Sequence, residues 1–126
     1  MAHILIIDDD YAIRELLKEA LKADGNEISD AVNGKEGVKT IRRQTTDLVI
    51  TDIFMPEQEG VETIQEIRAM WPSIPIIAIS GGGQYQQHSM MTLCKKIGAD
   101  KVIQKPFDLA DFREEVRNML EDINEG

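Results

Sequence analysis

The sequence predicts an α/β fold, a doubly wound parallel sheet of five strands with helices on both faces. Three observations carry this. Five short apolar runs alternate in strict order with stretches patterned as helices, and that alternation builds a parallel sheet with right-handed crossovers. The three strongest runs, Ile4–Ile7, Leu48–Thr51 and Ile76–Ile79, are continuous rather than alternating, as strands covered on both faces are. The 126 residues, 42% of them hydrophobic, suffice for one domain with a real core and are too few for two.

Ile4–Ile7 ends in Asp8-Asp9-Asp10, with Asp10 placed to cap a helix. Ile13, Leu16, Leu17, Ala20 and Leu21 form its apolar stripe, and Gly25 stops it. Glu27–Val32 is a weaker strand, suited to an edge. Lys35–Gln44 reads as a short helix, weakened by Gly37 inside it. Leu48–Thr51 runs into Asp52. Gly60–Trp71 is a helix stopped by Pro72, and Ile76–Ile79 runs into Ser80. Tyr85–Ile97 is expected to be helical, with Met90, Leu93, Cys94 and Ile97 on one face before Gly98. Lys101–Gln104 is the last strand, ending at Lys105-Pro106. Leu109, Phe112, Val116, Met119, Leu120 and Ile123 stripe a final helix. No linker, repeat or low-complexity tract interrupts the series, so residues 1–126 are expected to be a single domain.

The 23 acidic residues outnumber the 14 basic ones, for a formal charge of -9. That balance argues against nucleic acid or an anionic membrane as a direct partner. One cysteine permits no internal disulfide. The N-terminus lacks a signal-peptide pattern and no apolar run is long enough to span a bilayer, so a cytoplasmic location is expected. His3 and His88 have no ligand spacing and read as structural or surface residues.

The strand ends hold the chemistry. Open α/β sheets bind ligands at the carboxyl ends of their strands, and there this chain places Asp8, Asp9, Asp52, Ser80 and Lys105. Two unit charges about 4 Å apart interact by roughly 4 kcal/mol at an effective dielectric near 20, so clustered carboxylates call for a proton or a cation. An all-oxygen anionic set suits Mg2+ rather than zinc. Lys105 and Ser80 complete a site for a phosphoryl group, and an aspartate can itself be the nucleophile that forms an acyl phosphate.

Taken together, Ile6-Ile7-Asp8-Asp9-Asp10, Val49 to Pro56 with Gly60, Ala78-Ile79-Ser80 and Lys105-Pro106-Phe107 resemble the receiver domain of two-component response regulators, over roughly residues 3–123. The resemblance implies a flavodoxin-like (βα)5 fold with strand order 2-1-3-4-5. It implies that Asp52 accepts a phosphoryl group from a phosphohistidine on a sensor histidine kinase or histidine phosphotransfer protein. Mg2+ would be held by Asp9, Asp52 and the backbone carbonyl of Phe54, with Asp8 acting mainly through water. Ser80 would move toward the phosphoryl group, Lys105 would pair with it, and the Lys105–Pro106 bond would be cis. Such a domain catalyses only its own phosphorylation and dephosphorylation and otherwise signals to an output protein or output domain, as a monomer or a phosphorylation-dependent dimer.

Three positions depart from the pattern. Val102 stands where many members carry an aromatic that changes rotamer on activation. Phe54, two past the phosphoacceptor, cannot hydrogen-bond an attacking water, so slow self-dephosphorylation is expected. Gly81-Gly82-Gly83 follow Ser80. An alternative function is a degenerate receiver that binds partners without phosphorylation. A phosphohydrolase would want a second carboxylate where Phe54 stands, and a flavin binder would want a phosphate loop where the three acids stand.

Overall fold

The structure, a computed structural model, describes residues 2–53, 59–80, 92, 95–96 and 98–125, with backbone alone at Glu59 and 123–125. Its strands are β1 (His3–Ile7), β2 (Glu27–Ala31), β3 (Leu48–Asp52), β4 (Ile76–Ser80) and β5 (Lys101–Gln104). They form one parallel sheet in the order β2-β1-β3-β4-β5, as the resemblance implied. Between them run α1 (Tyr11–Ala23), α2 (Gly34–Arg43) and α3 (Glu59–Met70), and the chain closes with a final helix at Leu109–Glu125. The proposed helix over Tyr85–Ile97 lies mostly outside the described residues, although Thr92, Lys95 and Lys96 are helical.

Alternate side chains of each central strand serve opposite faces, so the continuous apolar runs are explained by two cores rather than one. Ile4, Ile6, Leu48, Ile50, Ile77 and Ile79 meet Leu17 and Leu21 of α1 and Phe112 and Val116 of the final helix. Leu5, Ile7, Val49, Ile76 and Ala78 meet Val38 and Ile41 of α2 and Ile64 and Ile67 of α3. Each fully buried side chain of this size contributes about 1.5–3 kcal/mol relative to exposure. β2, at the edge, is less buried and carries Glu27 and Asp30, charges that disfavour further strand pairing.

Local signals place the helices. The Asp10 carboxylate accepts the amides of Ala12 at 2.9 Å and Ile13 at 3.3 Å, capping α1, and Gly25 leaves it with φ 93. Asn33 caps α2 by accepting the Glu36 amide at 2.9 Å. Gly37, read in the sequence as a weakness, is a packing device. A Cβ there would sit 2.4 Å from Ile7 Cδ1, so its absence lets α2 lie close on β1.

Candidate functional site

The parallel registers pair Ile7 with Thr51, Asp52 with Ile79 and Ser80 with Gln104. The residues at and just beyond these positions therefore share one rim of the sheet. Hydrogen bonds carry the alignment past the strands: the Asp8 amide donates to the Ala31 carbonyl at 3.1 Å, Ile53 to Ile79 at 3.0 Å, and Lys105 to Ser80 at 2.7 Å. The Lys105–Pro106 bond is cis, as expected.

On that rim, one carboxylate oxygen each from Asp8, Asp9 and Asp52 lie within 4.8 Å of one another. Asp8 and Asp52 are buried, at 1% and 5% exposure, whereas Asp9 is exposed. Lys105 Nζ donates to Asp52 Oδ2 at 3.4 Å and stands 4.0 Å from Asp8 Oδ2. Asp8 Oδ1 accepts the Asp10 amide at 2.8 Å. Among the described residues, Asp8 Oδ2 and the fully buried Ser80 hydroxyl have no hydrogen-bond partner. Burial pushes the Asp8 carboxyl up to about 6, the neighbouring Asp52 and Asp9 charges push the same way, and the Asp10 amide and Lys105 pull against them.

A hard cation fits this pocket. Among the described residues its metal-binding atoms are carboxylate oxygens, the three acids outnumber the one lysine, and one buried carboxylate oxygen accepts no hydrogen bond. The same groups suit a phosphoryl group, with an ammonium and a hydroxyl beside the carboxylates. The β3 rim is closely covered by α3. A Cβ on Gly60 would lie 2.4 Å from the Asp52 carbonyl oxygen and 2.5 Å from Ile53 Cα, so this position excludes any side chain.

Of the five sequence-predicted side chains, Asp52 and Ser80 end their strands and Asp8, Asp9 and Lys105 directly follow theirs, all on this rim. The Phe54 carbonyl, the glycines after Ser80 and Tyr85 lie outside the described residues. Val102 is 8% exposed and packed into the core with Ala78 and Ala99, so it is a filler of the sheet face. Two arginines escaped the sequence reading. Arg14 sits beneath the acid pocket, and Arg68 ties the opposite end of the sheet together. Nothing in their spacing marks them, because their partners are a mixture of backbone carbonyls and the carboxylates of Asp30 and Asp100 on other segments.

A parallel 2-1-3-4-5 sheet with a three-carboxylate cluster at its rim is the architecture of a phosphoaccepting signalling module. The chain belongs to the response regulator receiver domain family, whose model matches residues 4–117. It is 37% identical over 105 residues to the chemotaxis protein CheY of Thermotoga maritima, covering 82% of this chain and 85% of that protein. It is 31% identical over 117 residues to sporulation initiation phosphotransferase F of Bacillus subtilis, covering 93% and 92%. Against the KDP operon transcriptional regulatory protein KdpE of Escherichia coli it is 30% identical over 120 residues, spanning 95% of this chain and about half, 52%, of that protein. Among solved structures, a CheY-like receiver domain protein from Methanospirillum hungatei JF-1 superposes with TM-score 0.88 at 29% identity, over 100% of this chain and 99% of that one. Receiver domains catalyse their own phosphorylation and dephosphorylation, and a kinase or phosphotransfer protein and a downstream output partner belong to that family role. No helix among the described residues is long and apolar enough to cross a membrane.

Proposed function

We propose that residues 1–126 act as one receiver domain in which Asp52 takes a phosphoryl group from a phosphohistidine donor. The observation that carries this is the cluster of Asp8, Asp9 and Asp52 within 4.8 Å, with Lys105 Nζ 3.4 Å from Asp52. An Asp52 carboxylate oxygen attacks phosphorus, the N–P bond of the donor breaks, and its electron pair returns to the imidazole. The product is an aspartyl phosphate. Lys105 neutralises phosphoryl charge from beside the acceptor, and the Ser80 hydroxyl, without a hydrogen bond among the described residues, donates to a phosphoryl oxygen. Asp9, Asp52 and the Phe54 carbonyl would hold Mg2+, with Asp8 acting mainly through water. When bound, the ion supplies charge neutralisation to the transferring group.

The donor is a sensor histidine kinase or a histidine phosphotransfer protein, and the reader is an output protein or output domain. The setting is cytoplasmic, and the state is a monomer or a phosphorylation-dependent dimer. Incubation with acetyl phosphate and Mg2+ should raise the intact mass by one phosphoryl group in the wild type and leave Asp52→Asn unchanged. No gain with acetyl phosphate, other small donors and a cognate kinase would sink the proposal.

The core position of Val102 favours a second reading, a receiver whose partners bind irrespective of phosphate. Equal partner affinity for the wild type and Asp52→Asn would support it.

A further inference from the structure

We infer that Arg14 is a positioning residue for the cation site, holding the Asp8–Asp9 peptide so that both carboxylates turn toward Asp52. The inference rests on the reading of the acid pocket given above. Arg14 lies on the first turn of α1 and is only 9% exposed. Its Nη1 donates to the Asp8 carbonyl oxygen at 2.8 Å, and its Nε donates to Asp30 Oδ2 at 3.1 Å. Lys18 Nζ stands 3.5 Å from the other Asp30 oxygen, so Asp30 is held from a second side. The Tyr11 ring lies over the guanidinium, 5.6 Å from Arg14 Cζ to its centroid.

A buried cation is costly unless its donors are satisfied. Here the guanidinium takes a carbonyl of the pocket loop and a carboxylate of β2, and its described contacts leave the carboxylates of Asp8 and Asp9 alone. That choice of acceptor matters. Bonded to those carboxylates, it would compete with a metal ion. Bonded to the Asp8 carbonyl, it fixes the plane of the peptide that joins the two acids. The loop is then gripped twice, at that carbonyl by Arg14 and at Asp8 Oδ1 by the Asp10 amide. Asp8 Oδ2 is left buried beside Asp52 and Asp9, with no hydrogen bond among the described residues. Groups that orient metal-binding carboxylates in this way typically change affinity by about 10–100-fold when lost.

Arg68 supplies a matched control. It too is shielded, and it too bonds backbone carbonyls, those of Gly98, Pro72 and Ile74, but at the far end of the sheet. The experiment titrates MgCl2 into the full chain, following the Asp9 and Asp10 amide resonances, with urea midpoints measured without Mg2+. Arg14→Gln should weaken Mg2+ binding about tenfold or more. Arg14→Lys, whose single nitrogen cannot hold Asp8 and Asp30 in the same fork, should fall between it and the wild type. Arg68→Gln should lower the urea midpoint yet hold Mg2+ affinity within about twofold, since distant sites act independently. Asp9→Asn should weaken binding most. Wild-type affinity in both Arg14 variants, or in the lysine variant if the glutamine one does not fold, overturns the inference while a defect in Asp9→Asn keeps the acid pocket as the cation site. Wild-type affinity in Asp9→Asn as well would overturn both.

Discussion

The two ends of the sheet treat their aspartates in opposite ways. At the amino ends of the strands, Asp47 and Asp100 are locked into reciprocal pairs with a neighbouring strand. Asp47 Oδ2 accepts the His3 amide at 2.8 Å while the Asp47 amide donates to the His3 carbonyl at 2.8 Å. Asp100 repeats the pattern with Ile76, at 2.8 and 2.9 Å, and also takes Arg68 Nη2 at 2.8 Å. At the carboxyl ends, three carboxylates crowd together and a buried oxygen of Asp8 accepts no hydrogen bond among the described residues. One end spends its polar groups on holding strands in register. The other keeps charge repulsion and open hydrogen-bonding capacity, which is stability withheld from the resting chain and available to a cation or a phosphoryl group.

The largest effect expected from this contrast is on phosphoryl acceptance. Asp52→Asn should abolish incorporation measured by intact mass, whereas Asp100→Asn at the opposite end should incorporate at the wild-type level. Incorporation by Asp52→Asn at another acceptor would break the functional half of the contrast.

Next comes pH. Asp8 is raised from 3.8 to about 6, so between those values the folded state binds more protons than the unfolded chain. Stability from this group is therefore full below about pH 4 and falls as pH rises toward 6, by about 3 kcal/mol as an upper figure. Asp8→Asn should remove this fall and be more stable than the wild type at pH 7 in urea melts without divalent ions. Mg2+ should stabilise the wild type there and Asp8→Asn less. If the change in stability between pH 4 and pH 7 is the same in Asp8→Asn as in the wild type, Asp8 carries no such strain.

How much of this contrast can be read without a structure differs between the ends. The acid rim is legible because continuous apolar runs fix where strands stop, and parallel pairing brings those stops together. Asp8, Asp9, Asp52, Ser80 and Lys105 needed only that logic, supported by the likeness to a known family. The locking end is not legible in the same way. Asp47 and Asp100 look like ordinary loop acids, and Arg68 reaches carbonyls up to 30 residues away, so its role exists only once the chain has folded. Gly37 misleads for a related reason: helix propensity charges it a local cost, while its benefit is the space taken by Ile7 on another strand. Arg14 is the clearest omission, since a basic residue on an amphipathic helix reads as a solvated face until its donors are traced to Asp8 and Asp30.

A smaller effect sharpens the contrast within the locking end itself. Asp100 serves two partners, the Ile76 amide and Arg68, while Asp47 serves the His3 amide. Truncating Asp100 strips one acceptor from a guanidinium that keeps its carbonyl bonds to Gly98, Pro72 and Ile74. It also strips the acceptor from an amide at the start of a fully buried strand. Asp100→Ala should thus cost about 1–3 kcal/mol in urea unfolding, and Asp47→Ala about 1 kcal/mol, each the scale of one or two unpaired donors. In the double variant Arg68→Gln with Asp100→Ala, the losses should be less than additive, because the two residues share one contact. Full additivity would mean that Arg68 stabilises the chain through its carbonyl bonds alone, leaving Asp100 to act on the Ile76 amide and making the two reciprocal pairs energetically alike.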